Sequence, residues 1–499
     1  MHNFSLFYFK SFEFDYSNLQ AKFHYSFDDE VFFEEVLDFR NELFKQVDNI
    51  DKNILENLLF HLHIAIWISY YKAFPTSDLI IESGYLDEFQ IKFWQKFYTN
   101  WLWEFLYTNQ ISPKWLFNFI NKIKKPKKNY IVENNEVFNS VSVKNKKSLI
   151  SIWWGKDSIV SIELMKNAWM NFDLFVFWKI DQLKQFTSDI SGNKILSVSR
   201  QLSDTLFELN KLGYYNWHVP ITGIIAFAMQ VVAYLYNYDY LILSNEKSAS
   251  FWNTIWEWVN INHQYSKSLD FEKDFSEYVF KYISKKSSYF SLLRWLYEVK
   301  IAELFVKYWK RYFRNFSSCN NNFKINKNSG LSPYQKARER KMSLIYWSQN
   351  YWCNSCPKCA FVFSILRPYL TKSEVLDIFG EDLYERSDLE KLFRELLWIS
   401  GIKPFECVGE AEEVIYSMYL TIKNNYYIPF LKEENLWGWT KKSINTNNNL
   451  PLILQIFEKE VLVKFDLKSI ENIEKKLVTI YNDDIIPTLL KSIIFKNYS

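Results

Sequence analysis

The chain has 499 residues and a formal net charge of +3, so it is long enough for several domains around a sizeable core. This near-neutral charge gives no general attraction to nucleic acids or anionic membranes, and we expect neither as a partner. Five cysteines do not suggest a disulfide framework, and the sequence starts with no signal peptide, so we expect a cytoplasmic protein.

The balance between glycine and tryptophan is unusual. The chain has 10 glycines and 20 tryptophans, whereas glycine ordinarily makes up about 7% of a protein, roughly 35 residues at this length. Enrichment in Asn, Lys, Ile, Phe and Tyr indicates an AT-rich gene. One hypothesis is that the source organism reads the UGA codon as glycine, and that translation with the standard code has rendered it as tryptophan. The alternative is an aromatic-rich protein with genuine tryptophans.

The N-terminal region is predicted to hold a β-hairpin followed by two helices. Aromatic residues alternate with other residues on both sides of a Ser17-Asn18 turn, which indicates two paired strands. Helical periodicity follows from Ile54 to Phe74 and from Asp87 to Tyr107. The lysine-rich segment 122–128 is interpreted as a solvated linker rather than a nucleic-acid contact, because no basic and aromatic pattern continues it.

From residue 148 the pattern changes to short apolar runs that alternate with helical ones, which is typical of a parallel sheet. Strands are predicted at Ser148–Ile152, Asp173–Phe177, Lys194–Ser199 and Tyr240–Ser244. Helices are predicted after Asp157, around Asp204–Asn210 and at Ile221–Tyr236. The last of these is very apolar but contains Thr222 and Gln230, so we expect a buried core helix and no membrane span.

These patterns predict an α/β fold with a Rossmann-like parallel sheet, an N-terminal α+β region and a C-terminal part that is mostly helical from about residue 271. The predicted domains are an N-terminal hairpin and helical domain at 1–140, a nucleotide-binding core at 146–312, a helical region with a cysteine cluster at 313–426 and a helical extension at 427–499.

Residues 151–158 read Ser-Ile-Trp-Trp-Gly-Lys-Asp-Ser and follow the first strand of the predicted sheet. A strand that turns into Lys-Asp-Ser and a helix is able to hold phosphates, because backbone amides and the helix N-terminus face the anion. Such a loop needs glycine for close approach of the backbone, which Trp153 and Trp154 do not allow. The local alternative is that Asp157 and Ser158 only cap a helix.

Four of the five cysteines lie in one region. Cys353, Cys356 and Cys359 are spaced two residues apart, and Cys319 lies upstream. Thiolates in this pattern suit a tetrahedral zinc ion, with an iron–sulfur cluster or free buried thiols as alternatives. Cys407 stands apart and is interpreted as a core residue.

Several segments, in this order along the chain, resemble known families. The Gly-Lys-Asp-Ser loop is similar to that of the PP-loop ATP pyrophosphatases, which cleave ATP between the α and β phosphates. With four further segments, the chain resembles the UDP-N-acetylmuramoyl-L-alanyl-L-glutamate epimerase family, of the MurL type, roughly over residues 10 to 420. These segments are Asn216–Thr222, Ser244–Ser250, Asn262–Ser268 and Cys353–Cys359.

The resembling family has glycine where this chain has Trp153, Trp154 and Trp217. Substitution at random would not select glycine positions so consistently, so the resemblance favours the hypothesis of UGA recoding. Weaker candidates for the same reading are Trp67, Trp252 and Trp398.

The resemblance implies ATP and Mg²⁺ as cofactors and a UDP-linked muramoyl dipeptide as substrate. Asp157 is implied to approach Mg²⁺, and the loop is implied to cradle the pyrophosphate. The residues implied to bind the nucleotide are Trp153, Trp154, Gly155, Lys156, Asp157 and Ser158.

The implied reaction inverts a glutamyl α-carbon after its carboxylate has been adenylated, which makes the α-proton more acidic. It needs a base and an acid with tuned pKa values. His263 is the first candidate, because it lies in a polar Asn-His-Gln-Tyr-Ser-Lys run. The other candidates in the matching segments are Glu246, His218, Lys267 and Tyr265. His61 and His63 are expected to pack or to face solvent.

The sequence therefore favours an ATP- and Mg²⁺-dependent epimerase of a peptidoglycan precursor. One alternative is another PP-loop ligase or synthase, such as a 7-cyano-7-deazaguanine synthase, whose zinc motif the cysteine run also resembles. A second alternative is a non-catalytic nucleotide-binding or scaffold protein, if Trp153 and Trp154 are genuine. The sequence does not indicate the oligomeric state.

Overall fold

The computed structural model describes residues 3–46, 49–112, 116–126, 130–133, 145–153, 155–177, 193–216, 219, 221–252, 254–256, 259–262, 264–314, 316–320, 352–399, 403–404, 406–426 and 450–496. Within these residues the protein has the predicted α/β fold, with two large sheets and a helical C-terminal region.

The first sheet has six strands in the order β5-β4-β1-β2-β3-β9. They are β1 (Leu6–Asp15), β2 (Gln20–Phe27), β3 (Val31–Asp38), β4 (Asp78–Ile81), β5 (Asn118–Asn121) and β9 (Ser199–Gln201). The predicted hairpin is confirmed, since β1 and β2 are antiparallel and Phe12 pairs with Phe23. β4 and β5 extend this sheet in parallel with β1.

Both helical segments predicted in the N-terminal region are confirmed. The helices are α1 (Lys52–Ile66), α2 (Ile68–Tyr71) and α3 (Glu88–Thr108). Asp87 begins α3 in a capping box with Gln90, in which each side chain accepts the other residue's amide. His61 and His63 are buried on α1, and burial lowers the pKa of each to about 3, so both are neutral core residues.

The second sheet has five parallel strands in the order β13-β10-β6-β7-β8. They are β6 (Ser148–Ser151), β7 (Phe172–Val176), β8 (Ile195–Ser197), β10 (Tyr240–Leu243) and β13 (Ser288–Ser291). Four of them, β6, β7, β8 and β10, confirm the predicted strands. β13 was missed because it lies in a segment that was predicted to be mostly helical.

The remaining helices cover the parallel sheet and build the C-terminal region. They are α4 (Lys156–Asn167), α5 (Asp204–Lys211), α6 (Ile221–Tyr236), α7 (Leu269–Tyr282), α8 (Glu298–Tyr308), α9 (Pro357–Leu366), α10 (Lys372–Phe379), α11 (Glu390–Leu396), α12 (Ala411–Asn425), α13 (Leu452–Ile456), α14 (Leu467–Val478) and α15 (Thr488–Phe495). A short antiparallel pair, β11 (Thr254–Trp256) and β12 (Val259–Ile261), lies between α6 and α7. Across the described ranges, no helix has the length and apolar character needed to cross a membrane.

The parallel sheet is covered by a hydrophobic core on both faces. Leu149 of β6 packs in a cluster with the first sheet, α1 and α6, whereas the next residue, Ile150, packs with α4, α8 and the C-terminal helices. The chain also joins the two sheets directly, since only Val198 separates β8 from β9. The predicted phosphate loop therefore follows a strand that is fixed from both sides.

The C-terminal extension packs on the segments that follow β10 and β13. The Phe495 ring lies 3.8 Å from the Trp295 ring, measured between centroids. Asp483 pairs with Lys247 at 2.6 Å. The described part of the extension is thus integrated into the core next to the carboxyl end of the parallel sheet.

Two tryptophans occupy backbone positions that favour glycine. Trp169 follows α4 with a φ of 56°, and Trp398 follows α11 with a φ of 59°. After each tryptophan, the backbone amide of the following residue donates to the carbonyl of the residue five positions earlier in the chain. This hydrogen bond closes a Schellman cap. Gly213 holds the same position after α5, with a φ of 91°. A left-handed backbone is costly for a bulky side chain, so both caps suit glycine better than tryptophan.

We expect Trp169→Gly and Trp398→Gly each to raise the free energy of unfolding by about 1 kcal/mol, because glycine relieves the left-handed strain. The Trp169 side chain is 85% exposed, so its removal sacrifices little burial. Urea unfolding of each variant measures the change. The matched control is Trp94→Gly in the buried interior of α3, which is expected to lose about 3 kcal/mol or more. Loss of stability in both cap variants would contradict this interpretation.

Candidate functional site

The predicted phosphate loop joins β6 to α4. Its last residue, Gly155, is the N-cap of α4, and no described side chain caps the first amides of this helix. The Ser158 hydroxyl turns back and accepts the amide of Trp153 at 3.0 Å. Open amides at the carboxyl end of a central parallel strand are suited to binding an anion such as phosphate.

Gly155 is required by a close approach between two segments. A Cβ at this position would lie 2.9 Å from the Ser318 hydroxyl and 3.2 Å from the carbonyl oxygen of Trp153. Ser318 directly precedes Cys319, so the cysteine region packs against the phosphate loop.

Four charged side chains from three segments meet at the start of α4, and we call them the lysine–glutamate cluster. Lys156 contacts the Asp157 carboxylate at 2.6 Å and also contacts Glu298, the first residue of α8. Lys358 of α9 contacts the other oxygen of Glu298 at 3.1 Å. Burial raises the pKa of Glu298, but the two lysines outweigh it and hold this pKa below its ordinary value. Glu298 is therefore a buried carboxylate shared by two cations.

Glu246, one of the predicted catalytic residues, lies beside the lysine–glutamate cluster. It follows β10 and is buried. Burial and the charges of Glu298 and Asp157 raise its pKa to about 7. Such a carboxyl is present in both protonation states near neutral pH, which suits a general acid or base.

Lys267 and Arg294 belong to the same part of the site. Burial lowers the pKa of Lys267, but the charges of Cys407 and Glu246 raise it by more, so this lysine stays charged. The buried Arg294 guanidinium donates to the backbone carbonyls of Glu246 and Lys267 and pairs with Glu272 at 2.6 Å. Arg294 therefore holds the backbones of both predicted catalytic residues in place.

Four further side chains lie close to Lys267, namely Ser248, Gln264, Lys403 and Cys407. Lys267 contacts the Cys407 sulfur at 3.2 Å, and the Gln264 amide donates to the carbonyl after Cys407 at 3.1 Å. Burial lowers the pKa of Lys403 to about 8. Among the described residues, nothing hydrogen-bonds to Lys403 Nζ or Gln264 Oε1, although both are buried.

The four clustered cysteines converge as their spacing predicts. The sulfurs of Cys319, Cys353, Cys356 and Cys359 all lie within 4.8 Å of one another, and all four residues are buried. The Sγ atoms of Cys353 and Cys359 are 3.7 Å apart. Sulfurs bound to one tetrahedral zinc ion lie about 3.8 Å apart, given a Zn–S distance of about 2.3 Å. The arrangement thus fits a single zinc ion.

Apart from the four clustered cysteines, the predicted site residues fall into three groups. The loop residues Trp153, Gly155, Lys156, Asp157 and Ser158 and the catalytic candidates Glu246 and Lys267 come together at one end of the parallel sheet. Tyr265 is buried, and its hydroxyl donates to Asp274 at 3.3 Å rather than to any of these residues. The predictions for Trp154, Trp217, His218 and His263 fall on positions outside the described residues.

Sequence reasoning missed three residues that the structure places here. Lys358 lies inside the cysteine run, where a lysine at a buried position is a signal that could have been noticed. Glu298 and Arg294 follow β13, and their position became apparent only once this unpredicted strand was in place.

A cavity of about 360 Å³ lies at the opposite end of the same sheet. Its lining includes Asn237 and Tyr238 before β10, and Lys286 and Ser287 before β13. It is therefore separate from the phosphate loop, which lies at the carboxyl ends of the strands.

Comparison with known proteins identifies close similarity over most of the chain. A family model described as the MurL N-terminal domain matches residues 1–292, and one described as the MurL C-terminal domain matches residues 315–429. No solved structure matches.

Three curated proteins named UDP-N-acetyl-alpha-D-muramoyl-L-alanyl-L-glutamate epimerase are similar to this chain. The one from Xanthomonas oryzae pv. oryzae is 33% identical over 353 residues, which cover 70% of this chain and 71% of that protein. The one from a Micromonospora species is 32% identical, covering 75% and 76%. The one from Salinispora tropica is 30% identical, covering 83% and 84%.

The pH dependence of stability reports on Glu413, a buried residue of α12. Burial and the charges of Glu410 and Glu298 raise its pKa to about 8, from an ordinary value of 4.5. The contribution of this raised pKa to the free energy of unfolding is therefore fully present below pH 4.5. It is lost as the pH rises towards 8.

As the pH rises from 4.5 to 9, we therefore expect the free energy of unfolding of Glu413→Gln to increase by roughly 3–5 kcal/mol relative to that of the parent protein. Urea unfolding at several pH values measures this difference. The control is Glu412→Gln, at a more exposed position on the same turn. Its free energy of unfolding relative to the parent is expected to vary by less than about 1 kcal/mol over the same pH range. A pH-independent difference for Glu413→Gln would contradict the prediction.

Proposed function

The chain belongs to the MurL family and is an epimerase, and we propose that it inverts the terminal glutamate of UDP-N-acetylmuramoyl-L-alanyl-L-glutamate in an ATP-dependent reaction. In this proposal ATP adenylates the glutamate α-carboxylate, and AMP and diphosphate are released as D-glutamate forms. The product enters peptidoglycan synthesis. The observation that carries the proposal is an open phosphate loop adjoining Glu246, a buried carboxyl with a pKa near 7.

Adenylation answers a chemical difficulty. Removing an α-proton beside a free carboxylate accumulates negative charge, whereas the mixed anhydride is neutral at that carbonyl and makes the α-carbon more acidic. The enolate-like intermediate still needs positive charge or hydrogen-bond donors close by. Lys267, Lys358 and Lys403 supply positive charge around Glu246, since each of these lysines interacts electrostatically with its carboxyl.

The residues of the loop fit a nucleotide and its cation. The uncapped amides of α4 and the Ser158 hydroxyl suit the phosphates, and Lys156 adds a positive charge next to them. Asp157 offers a carboxylate, the ligand type that Mg²⁺ prefers, and bound Mg²⁺ would neutralise phosphate charge. His218 and His263 stay candidates for the proton relay, together with Glu246 and Lys267.

We further propose that glycine stands at positions 153, 154 and 217 of the natural protein, through UGA recoding. The resemblance to the family implies glycine at these positions. The left-handed caps at Trp169 and Trp398 add support that is independent of the family, because their backbone favours glycine. We call the protein with glycine at 153, 154 and 217 the glycine form.

We expect the glycine form, given ATP, Mg²⁺ and the precursor, to release AMP and diphosphate in equal amounts and to invert the glutamate with uptake of solvent deuterium. The tryptophan form is expected to be inactive, because two indoles occupy the phosphate loop. Mass spectrometry and chiral analysis of the product measure the outcome. Asp157→Asn in the glycine form is expected to reduce ATP consumption by about 100-fold.

The matched control is Asp173→Asn, at the amino end of β7, which is expected to keep full activity. ATP cleavage without inversion would contradict the epimerase and favour a PP-loop ligase or synthase. TGG codons at positions 153 and 154 would contradict the recoding proposal.

We also propose that the four cysteines hold a zinc ion. Their sulfurs fit one tetrahedral ion with no open coordination position, so the zinc would be structural. Lys358 lies between two of these cysteines and Ser318 precedes a third, and both reach the phosphate loop region. The zinc would thus hold these two residues against the loop.

We expect the purified protein to contain one equivalent of zinc and to lack the visible absorption of an iron–sulfur cluster. Cys359→Ser is expected to lose the metal and to lower the unfolding midpoint, because metal binding contributes directly to folding stability. Elemental analysis and thermal unfolding measure both effects. Cys407→Ser is the matched control and should retain the metal. Full zinc content in Cys359→Ser would contradict the assignment.

A further inference from the structure

We infer that Cys407 is one of the two groups that exchange the α-proton of the glutamyl residue, and that Lys267 holds its sulfur as a thiolate. This inference rests on the proposed function, and it goes further by assigning a residue that the sequence pattern indicated only as part of the core.

The contact between Lys267 and Cys407 is the first observation. The ammonium lies 3.2 Å from the sulfur, and Cys407 forms no disulfide and is only partly buried. A neighbouring lysine stabilises the thiolate, which is the form of cysteine that accepts a proton. Arg294 holds the Lys267 backbone through its carbonyl, so the lysine is positioned from the core.

The second observation is a set of buried polar atoms that await a ligand. Lys403 Nζ and Gln264 Oε1 lack a hydrogen-bond partner among the described residues, and both residues are at most 5% exposed. The charges of Glu413, Glu410, Glu246 and Cys407 act on Lys403, so its ammonium lies in the same buried region as Glu246 and Cys407. Buried polar groups without partners are costly unless a ligand or water satisfies them. An ammonium suits a carboxylate, and an amide oxygen accepts from an N–H donor, so the two suit a glutamyl residue, which carries both groups.

The proton chemistry balances with residues of this site alone. The Cys407 thiolate removes the α-proton, so the Cα–H bond breaks, an S–H bond forms and the electron pair moves onto the acyl oxygen. A protonated acid on the opposite face returns a proton to the carbon, and the pair collapses back from oxygen. Glu246 is the described residue best suited as this acid, because it carries a proton part of the time at neutral pH. Inversion in the reverse direction exchanges the two roles.

The test separates adenylation from proton transfer in the glycine form. Cys407→Ser and Cys407→Ala are expected to keep precursor-dependent exchange of diphosphate into ATP within about three-fold. Both are expected to lose glutamate inversion and α-deuterium uptake by about 100-fold or more, because a general base contributes about 10²–10⁴-fold. Equal loss of diphosphate exchange and inversion would overturn the inference, and so would inversion at the parent rate.

Alkylation tests the thiolate in the folded glycine form and does not depend on a further variant folding correctly. Iodoacetamide is expected to label Cys407 before the other cysteines. The labelled protein is expected to keep diphosphate exchange but to lose glutamate inversion. Lys267→Met is expected to slow the labelling of Cys407 by about ten-fold. Labelled protein that still inverts glutamate would overturn the inference about Cys407 but not the proposed function. Absence of both diphosphate exchange and inversion from the unmodified glycine form would instead overturn the proposed function.

Discussion

The contact of Glu298 with Lys156 and Lys358 is the interaction on which the rest of this site depends. Removing one partner of a buried ion pair costs about 3–5 kcal/mol, since it leaves an uncompensated charge in the interior. The phosphate loop, the start of α8 and the cysteine region must therefore assemble together. Each of these segments carries one of the three charges, and none of them buries its charge alone.

The parallel sheet makes this assembly rigid. Its central strand β6 packs on the N-terminal body through Leu149 and on the C-terminal helices through Ile150. The loop that follows β6 is therefore fixed by both halves of the protein. The C-terminal extension packs on the same region, since Phe495 contacts Trp295, which directly follows Arg294.

The site concentrates positive charge at one end of the sheet. Lys156, Lys267, Lys358 and Lys403 come from separate segments and interact with the same few carboxylates. A nucleotide and a glutamyl peptide both carry negative charge, and a partly enclosed cationic site concentrates such ligands. Glu246 lies among these cations with its pKa near 7, so the arrangement proposed to bind anions also holds the group proposed for proton transfer.

The sequence by itself determined the fold class, the N-terminal hairpin, four of the five parallel strands, the loop between β6 and α4 and the cysteine cluster. Each of these rests on a local pattern, such as the alternation of apolar residues, a strand running into Lys-Asp-Ser, or a spacing of two between cysteines. Only the tertiary structure decided that Glu298, Arg294 and Lys358 belong to the site and that Lys267 meets Cys407. Those contacts join residues 22 to 142 positions apart. They depend on how β13, α8 and the cysteine region pack at the end of the sheet, and no local pattern encodes such packing.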